Sequence, residues 1–312
     1  MYKNVLGLFD GMSCGQLALK KAGIEYKKYF ASEIEDASIR VASTHFPNTH
    51  YLGDVRRIDT GDLPKIDLIM FGSPCTDFSR AGEREGMVTT EGVEVKSLKQ
   101  YLRLKKSGKT FVGQSYLFWE ALRILNELRE VNKDIKFLCE NTTMPKKWLE
   151  LFNKELGVEG KLMNSSLVSA QNRERIYWTN IPNVEIPTDQ NILLSDVIPN
   201  SVSAGKRGRD LGERTKDGKK IWSIYLTYRK DGKANCLVTN PSRTNLIEID
   251  GQLRPITPEE AEIIQTIPQG YTNISGISKA ARYKMIGNGW TIDMISHILK
   301  CGLKQKNGKS KV

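Results

Sequence analysis

At 312 residues, 39% of them hydrophobic and 27% charged, the chain has the composition of a soluble globular protein with room for one large unit and a smaller one. No apolar stretch nears the roughly 20 residues of a membrane span, and five cysteines without a close pair, beside three histidines, leave little material for a disulfide framework, a metal site or a Ser-His-Asp triad. The net charge of +11 is concentrated in two segments, +7 over residues 201–245 and +4 over 80–110, which suits a polyanionic partner better than general solubility.

The opening "MYKNVLGLFDG" lacks the basic head and apolar middle of a secretory signal, so a cytoplasmic protein is expected. Over the first 180 residues short apolar runs alternate with helical patterns. Strands are predicted at 4–9, 27–33, 50–55, 66–72, 135–141, 161–169 and 175–181, and helices at 15–24, 35–46, 115–131 and 146–157. Such alternation implies a largely parallel sheet covered by helices on both faces, with ligands collecting at the carboxyl ends of the strands. After residue 182 the pattern changes. Pro182, Pro187 and Pro199 break up a loop-rich passage, and a Gly/Lys/Arg-rich stretch follows with a short strand at 221–228. In "TPEEAEIIQTI", Thr257 is an N-cap, Pro258 the first helical residue and Glu260 the partner in a capping box; a last amphipathic helix is predicted at 291–303.

Candidate chemistry falls at strand ends. The first strand runs into Phe9-Asp10-Gly11, and Gly15 opens a helix whose N-terminus favours an anionic group. Without GxGxxG this suits a nucleoside bearing a carboxylate, such as S-adenosylmethionine, better than a dinucleotide. Glu33 then stands where an acid accepts ribose hydroxyls, and Asp54 where one accepts from an adenine amino group. Singly, each also reads as a cap or a solvated acid. Pro74-Cys75 closes the fourth strand; a free cysteine is usually a small core hydrophobe and reacts only where its surroundings allow. Glu140 and Asn141 end the next strand, where a buried glutamate is able to donate a proton; the other reading is a helix N-terminal acid ahead of Pro145. In "QNRERIYW", Arg173 and Arg175 are two apart and so share a strand face, either functional or salt-bridged at the surface. "IGNGW" places Asn288 and Trp290 just before the last helix, with Trp290 otherwise a core residue.

In this order, FDGxxxG, GSPC, ENT, QxRxR and GNGW resemble the cytosine-C5 DNA methyltransferases, over residues 4–181 and about 234–303. "GDVRRI", "GSPCTDFS" and "QTIPQGYTNIS" look closer to the de novo-type vertebrate branch, while the lack of appended reader domains fits a bacterial or phage stand-alone enzyme. The family usually shows Gly-Asn-Ser where this chain has Gly287-Asn288-Gly289.

The resemblance implies a Rossmann-like α/β methyltransferase fold with a small target-recognition domain. Residues 1–183 and 256–304 would form the catalytic domain, 184–255 the target-recognition domain and 305–312 a basic flexible tail. It implies a Cys75 thiolate adding to C6 of a flipped-out cytosine, Glu140 protonating N3, Asn141 holding the glutamate, and Arg175, supported by Arg173, gripping O2. Phe9, Asp10, Gly11, Gly15, Glu33, Asp54, Val55, Pro74, Asn288 and Trp290 would bind S-adenosylmethionine, with no metal. Ser79, Arg80, Lys206, Arg207, Arg209 and Arg243 would contact double-stranded DNA, with 80–110 as a loop closing over it. A monomer is expected, with no membrane partner and room for a companion restriction enzyme. An RNA-directed enzyme, notably of the transfer-RNA branch, would share the catalytic set, but its thiol is typically followed by a different dipeptide from Thr76-Asp77. A non-catalytic DNA-binding relative would be expected to have lost the thiol or the acid.

Overall fold

The run Val5–Leu8 is buried at every position, as is the whole of 68–71, so both faces of these strands are covered in the manner of a parallel sheet between helices. The computed structural model describes residues 2–74, 87–215, 217 and 220–303. Cys75, Ser79, Arg80 and the tail expected at 305–312 lie outside the described residues. Packing divides the chain into two compact units, one of Met1–Met163, Glu174–Ile186 and Ile295–Val312, the other of Asn164–Arg173 and Pro187–Met294.

The first unit follows the βα alternation. Its elements are β1 (Tyr2–Leu8), α1 (Cys14–Ala22), β2 (Tyr26–Ser32), α2 (Asp36–His45), β3 (Thr49–Tyr51), β4 (Leu68–Phe71), α3 (Leu98–Lys106), α4 (Phe118–Val131), β5 (Lys136–Thr142), α5 (Lys146–Leu156), β6 (Lys161–Asn164) and β7 (Glu174–Thr179). The seven-stranded sheet has the order β3-β2-β1-β4-β5-β7-β6. β1 pairs in parallel with β2 and β4, β2 with β3 and β4 with β5, whereas β7 runs antiparallel to β5. The strand order reverses between β1 and β4, which makes their carboxyl ends the expected ligand crevice. Leu6, Leu8, Ile69, Phe71 and Phe137 pack with Trp119, Phe152 and Trp178 in one fully buried core.

Three expectations for this unit need correction. The third strand stops at Tyr51, because Gly53 at φ 70° turns the chain and Asp54 caps a 3-10 turn over Val55–Arg57. The strand expected at 161–169 ends at Asn164, whose side chain accepts from Ser166 N and starts another 3-10 turn. The supposed loop at 80–110 contains helix α3. Ser97 caps it, accepting from Gln100 N, and Tyr101 is buried with its hydroxyl donating to Glu120 at 2.5 Å. Glu120, itself fully buried, also pairs with Lys105 and with Arg123 at 2.9 Å. Lys109 pairs with Glu91, so part of this segment's positive charge is met within the fold.

The second unit contains α6 (Leu194–Val197), β8 (Ser201–Arg214), β9 (Lys220–Tyr228), α7 (Pro241–Thr244), β10 (Leu246–Ile249), β11 (Gln252–Pro255), α8 (Pro258–Ile264) and α9 (Lys279–Asn288); α10 (Ile292–Cys301) continues into the first. Four strands form an antiparallel sheet, β11-β10-β8-β9. The 14-residue β8 occupies "SVSAGKRGRDLGER", part of the Gly/Lys/Arg-rich stretch in which the sequence pointed only to short strands. Glycine and charge disfavour a strand locally, but the β-prone "KIWSIYLTY" of β9 supplies a partner ladder. The capping box at α8 is formed as expected: Glu260 N donates to Thr257 Oγ1 at 3.2 Å and Thr257 N to the Glu260 carboxylate at 2.7 Å. No described helix is long and apolar enough to cross a membrane.

Within β1, Gly7 has a specific task. A Cβ there would lie 2.5 Å from the Tyr29 hydroxyl and closer still to Asp10 Oδ1. Gly7→Ala should therefore cost about 1–3 kcal/mol by overpacking, read as a lowered thermal midpoint; an unchanged midpoint would contradict this placement.

Candidate active site

Backbone register brings the candidate residues to one edge of the first unit's sheet. Leu8 pairs with Ser32 and with Phe71, Ala31 with Tyr51, and Phe71 with Cys139. The residues that follow, Phe9-Asp10-Gly11, Glu33, Gly72-Ser73-Pro74 and Glu140-Asn141, therefore emerge side by side.

At the β1 end the backbone is tightly curled, with Phe9, Gly11 and Ser13 all at positive φ (53°, 56° and 65°). Asp10 N donates to Ser32 O at 3.1 Å and Gly11 N to Glu33 Oε2 at 2.7 Å, tying this loop to the end of β2. The other Glu33 oxygen accepts from Ile34 N and Glu35 N at 2.7 and 2.8 Å. Asp10 Oδ1 accepts from the Tyr29 hydroxyl at 2.7 Å, but its buried Oδ2 has no hydrogen-bond partner. Burial pushes the Asp10 carboxyl up to about 6, aided by the nearby Glu33 and opposed by the Tyr29 and Ser13 hydroxyls. An unsatisfied buried carboxylate oxygen is costly unless a donor or cation reaches it. The set therefore fits the amino-acid and ribose parts of a nucleoside cofactor such as S-adenosylmethionine. Gly15 lies buried in the first turn of α1.

Asp54 is less open than expected. It accepts from Arg56 N and Nε at 2.9 and 3.0 Å, and these bonds hold its carboxyl below the usual range. Val55 beside it is buried.

The β4–β5–β7 corner is the most connected part of the edge. Asn141, almost wholly buried, donates from Nδ2 to both Ser73 O and Ser73 Oγ at 3.2 Å and accepts from Thr142 N at 2.8 Å. It thus anchors the chain one residue before Pro74 and two before Cys75. Because β7 is antiparallel, Arg175 enters at this edge opposite Thr142, diagonal to Glu140 on the same face. Arg175 Nε lies 3.0 Å from Glu140 Oε1, with the two side chains 17% and 11% exposed.

Arg173 departs from expectation. β7 begins only at Glu174, so Arg173 does not share a strand face with Arg175. Its guanidinium is buried in the second unit, donating to Leu237 O (3.2 Å), Gly287 O (3.1 Å) and Gly289 O (2.9 Å). Gln265, which the sequence reading passed over, joins it by donating to Ile286 O and Gly289 O at 3.1 and 2.8 Å. Together they brace "IGNGW", whose Gly287 admits no Cβ because Val238 C would lie 2.6 Å away. Asn288 is exposed in the last turn of α9 and Trp290 half-buried beyond it. The signals that would have found Ser73 and Gln265 are absent from sequence, since each acts through long-range backbone bonds.

Because Asp10 titrates above the 3.8 of an ordinary aspartate, its contribution to stability is full below about pH 4 and lost as pH rises through about 6. The ligand-free protein should lose stability across about pH 4–6, by roughly 1 kcal/mol per pH unit, and level off above that. Asp10→Asn should flatten that slope in denaturant titrations; an unaltered slope would contradict the assignment.

A family model of C-5 cytosine-specific DNA methylases matches residues 3–220 and 201–303. The Type II methyltransferase M.NlaX of Neisseria lactamica is 24% identical over 337 residues, covering 96% of this chain and 95% of that protein. M.NlaIV, from the same organism, is 28% identical over 181 residues, 56% of this chain, and the match spans only 40% of that protein. Among solved structures, the Entamoeba histolytica methyltransferase EhMeth shares the fold with a TM-score of 0.65 at 12% identity, covering 98% of this chain and 99% of that one. The Dnmt2 methyltransferase of S. pombe does so with 0.63 at 14%, covering 98% and 99%. The family match takes in the strand-end cluster of the first unit and the braced turn of the second, and the chain belongs to the C-5 cytosine-specific DNA methylase family.

Proposed function

We propose that the protein transfers a methyl group to C5 of a cytosine extruded from duplex DNA, with Cys75 as nucleophile and the Glu140–Arg175 pair as the group that manages charge on the base. The observation that carries this reading is the strand-end corner itself. An acid paired with an arginine at 3.0 Å stands beside an asparagine that fixes the backbone two residues ahead of the thiol.

Cytosine C5 is a poor nucleophile until a thiolate adds at C6 and makes C5 an enamine carbon. A proton from Glu140 to N3 neutralises the charge that this addition places on the ring; once C5 carries the methyl group, a base removes the C5 proton, the Cys75–C6 bond breaks to release the thiolate, and N3 returns its proton. Arg175 holds Glu140 from one side at 3.0 Å, its positive charge favours the thiolate form of Cys75, and its contact with the base O2 is proposed to form in the complex with DNA. Asn141 fixes the Ser73 backbone, the last anchored point before Pro74 and the proposed nucleophile. When bound, S-adenosylmethionine supplies the electrophilic methyl group. Asp10, Gly11 and Glu33 would hold it, with the unpartnered Asp10 Oδ2 turned to a cationic group. Ser79 and Arg80, next to the thiol in sequence, are proposed to touch DNA. The base must leave the stack for the thiol to reach it.

Glu140→Gln, which keeps the volume but cannot donate the proton, should lower kcat by about 100- to 10,000-fold in a protein still folded by circular dichroism. Cys75→Ser should abolish transfer while leaving S-adenosylmethionine binding in place. Both are read by transfer of labelled methyl to duplex DNA and, in parallel, to transfer RNA. Label on RNA alone would overturn the DNA reading, and full activity in the Cys75→Ser protein would overturn the mechanism.

A further inference from the structure

β8 is far longer than the strand it shares with the body of its sheet. β10 pairs only with Ser201–Ala204, whereas β9 continues along β8 through Asp210 before the register shifts. Beyond Ala204 the two strands form a free two-stranded ribbon. Such a ribbon is marginal by itself, and here it also exposes large side chains, with Trp222 52% and Ile224 60% exposed.

The register gives the ribbon two chemically different faces. Directly opposed residues of an antiparallel pair point the same way. One face carries Lys206 opposite Leu226 and Gly208 opposite Ile224, and Trp222 lies across Gly208, whose Cβ would be 3.1 Å from the indole. The other face carries Arg207 opposite Tyr225 and Arg209 opposite Ser223. At its inner end this second face rests on α7: a Cβ on Gly205 would lie 3.4 Å from Thr244 O and 3.7 Å from Arg243 O. Arg207, Arg209 and Arg243 are exposed, and no acid among the described residues pairs with them. Sequence alone grouped Lys206 with its neighbours; the pleat separates it from them.

We infer that the Arg207/Arg209 face of the ribbon, and not its apolar face, reads the DNA sequence around the target cytosine, and that the site contains guanine opposite these arginines. The inference rests on the proposed DNA methyltransferase activity. A two-stranded β-ribbon fits the major groove, where arginine pairs in bidentate fashion with guanine O6 and N7 and serine reaches either base edge. Five paired positions from Lys206 to Asp210 span about 17 Å, enough for several base steps. Arg243, on the helix beneath, is placed to contact phosphate, which fixes register without reading sequence. The apolar face carries one cation, Lys206, among Leu226, Ile224 and Trp222, a compact charge without the planar fork of donors that the two arginines present.

The test is methylation of a randomised duplex library read by bisulfite sequencing, using the full chain, Arg207→Gln, Arg209→Gln and, on the opposite face, Ile224→Thr with Leu226→Thr. The wild-type consensus is expected to contain guanine. Each arginine variant should lose discrimination at one guanine by roughly 5- to 150-fold, with the other positions and the thermal midpoint kept. The apolar-face variant should keep the whole consensus. Altered preference in the apolar-face variant, or an unchanged consensus in both arginine variants, overturns the assignment. A uniform loss of activity with a shallower salt dependence and the same consensus also overturns it, since that marks phosphate contacts alone. A wild-type chain that leaves DNA unmethylated overturns the enzymatic reading instead, and this inference with it.

Discussion

The parallel ladder of β1, β2, β4 and β5 is the constraint on which the site depends. Side chains alternate along a strand, so a slip of one residue sends each to the opposite face. If β5 slipped by one against β4, Asn141 would lose both bonds to Ser73 and Glu140 would turn away from Arg175. What prevents the slip is the apolar packing of Ile69, Phe71, Phe137 and Cys139, fully buried between helices, which permits one register only. The antiparallel β7 then adds what a further parallel strand would not. It begins at the edge where the others end, and so delivers Arg175 to Glu140.

The buried acids of the first unit show which polar groups the fold completes and which it leaves open. Glu120 is saturated by Tyr101, Lys105 and Arg123, and its role is to hold α3 on α4. Asp10 has one oxygen engaged by Tyr29 and one without a partner, at the cost of a carboxyl raised to about 6. Glu140 is met by a single arginine nitrogen at 3.0 Å. Incomplete satisfaction inside a well-packed fold is expensive, and at Asp10 it falls at a strand end where a ligand is expected.

Much of this was legible in sequence, for identifiable reasons. The strands of the first unit are continuous apolar runs between helical patterns, and Asp10, Glu33 and Glu140 follow those runs directly, so strand ends and site acids could be located together. Asp54 was harder, because the bend at Gly53 and the local pairing with Arg56 are turn chemistry that an apolar run does not report. Arg173 was misplaced because a spacing of two implies a shared face only inside a strand, and β7 starts one residue later. α3 hid inside a basic segment, since the partner that stabilises it, Glu120, is remote in sequence. β8 was missed because its own residues argue against a strand and only β9 makes it one. The matched family could be recognised without any of these corrections, because its motifs are short strings of residues in a fixed order, legible whether or not the element boundaries around them are placed correctly.

The central claim is that the thiol following Pro74 attacks the pyrimidine ring at an edge organised by Glu140, Asn141 and Arg175. The most direct measurement incubates the protein and S-adenosylmethionine with duplex DNA carrying 5-fluorocytosine at its methylation site, then maps the adduct by peptide mass spectrometry. Fluorine at C5 blocks the final loss of the proton, so the expected result is a stable protein–DNA adduct on the peptide containing Cys75. Efficient methylation of ordinary DNA with no such adduct, or an adduct on any other cysteine, would contradict the account.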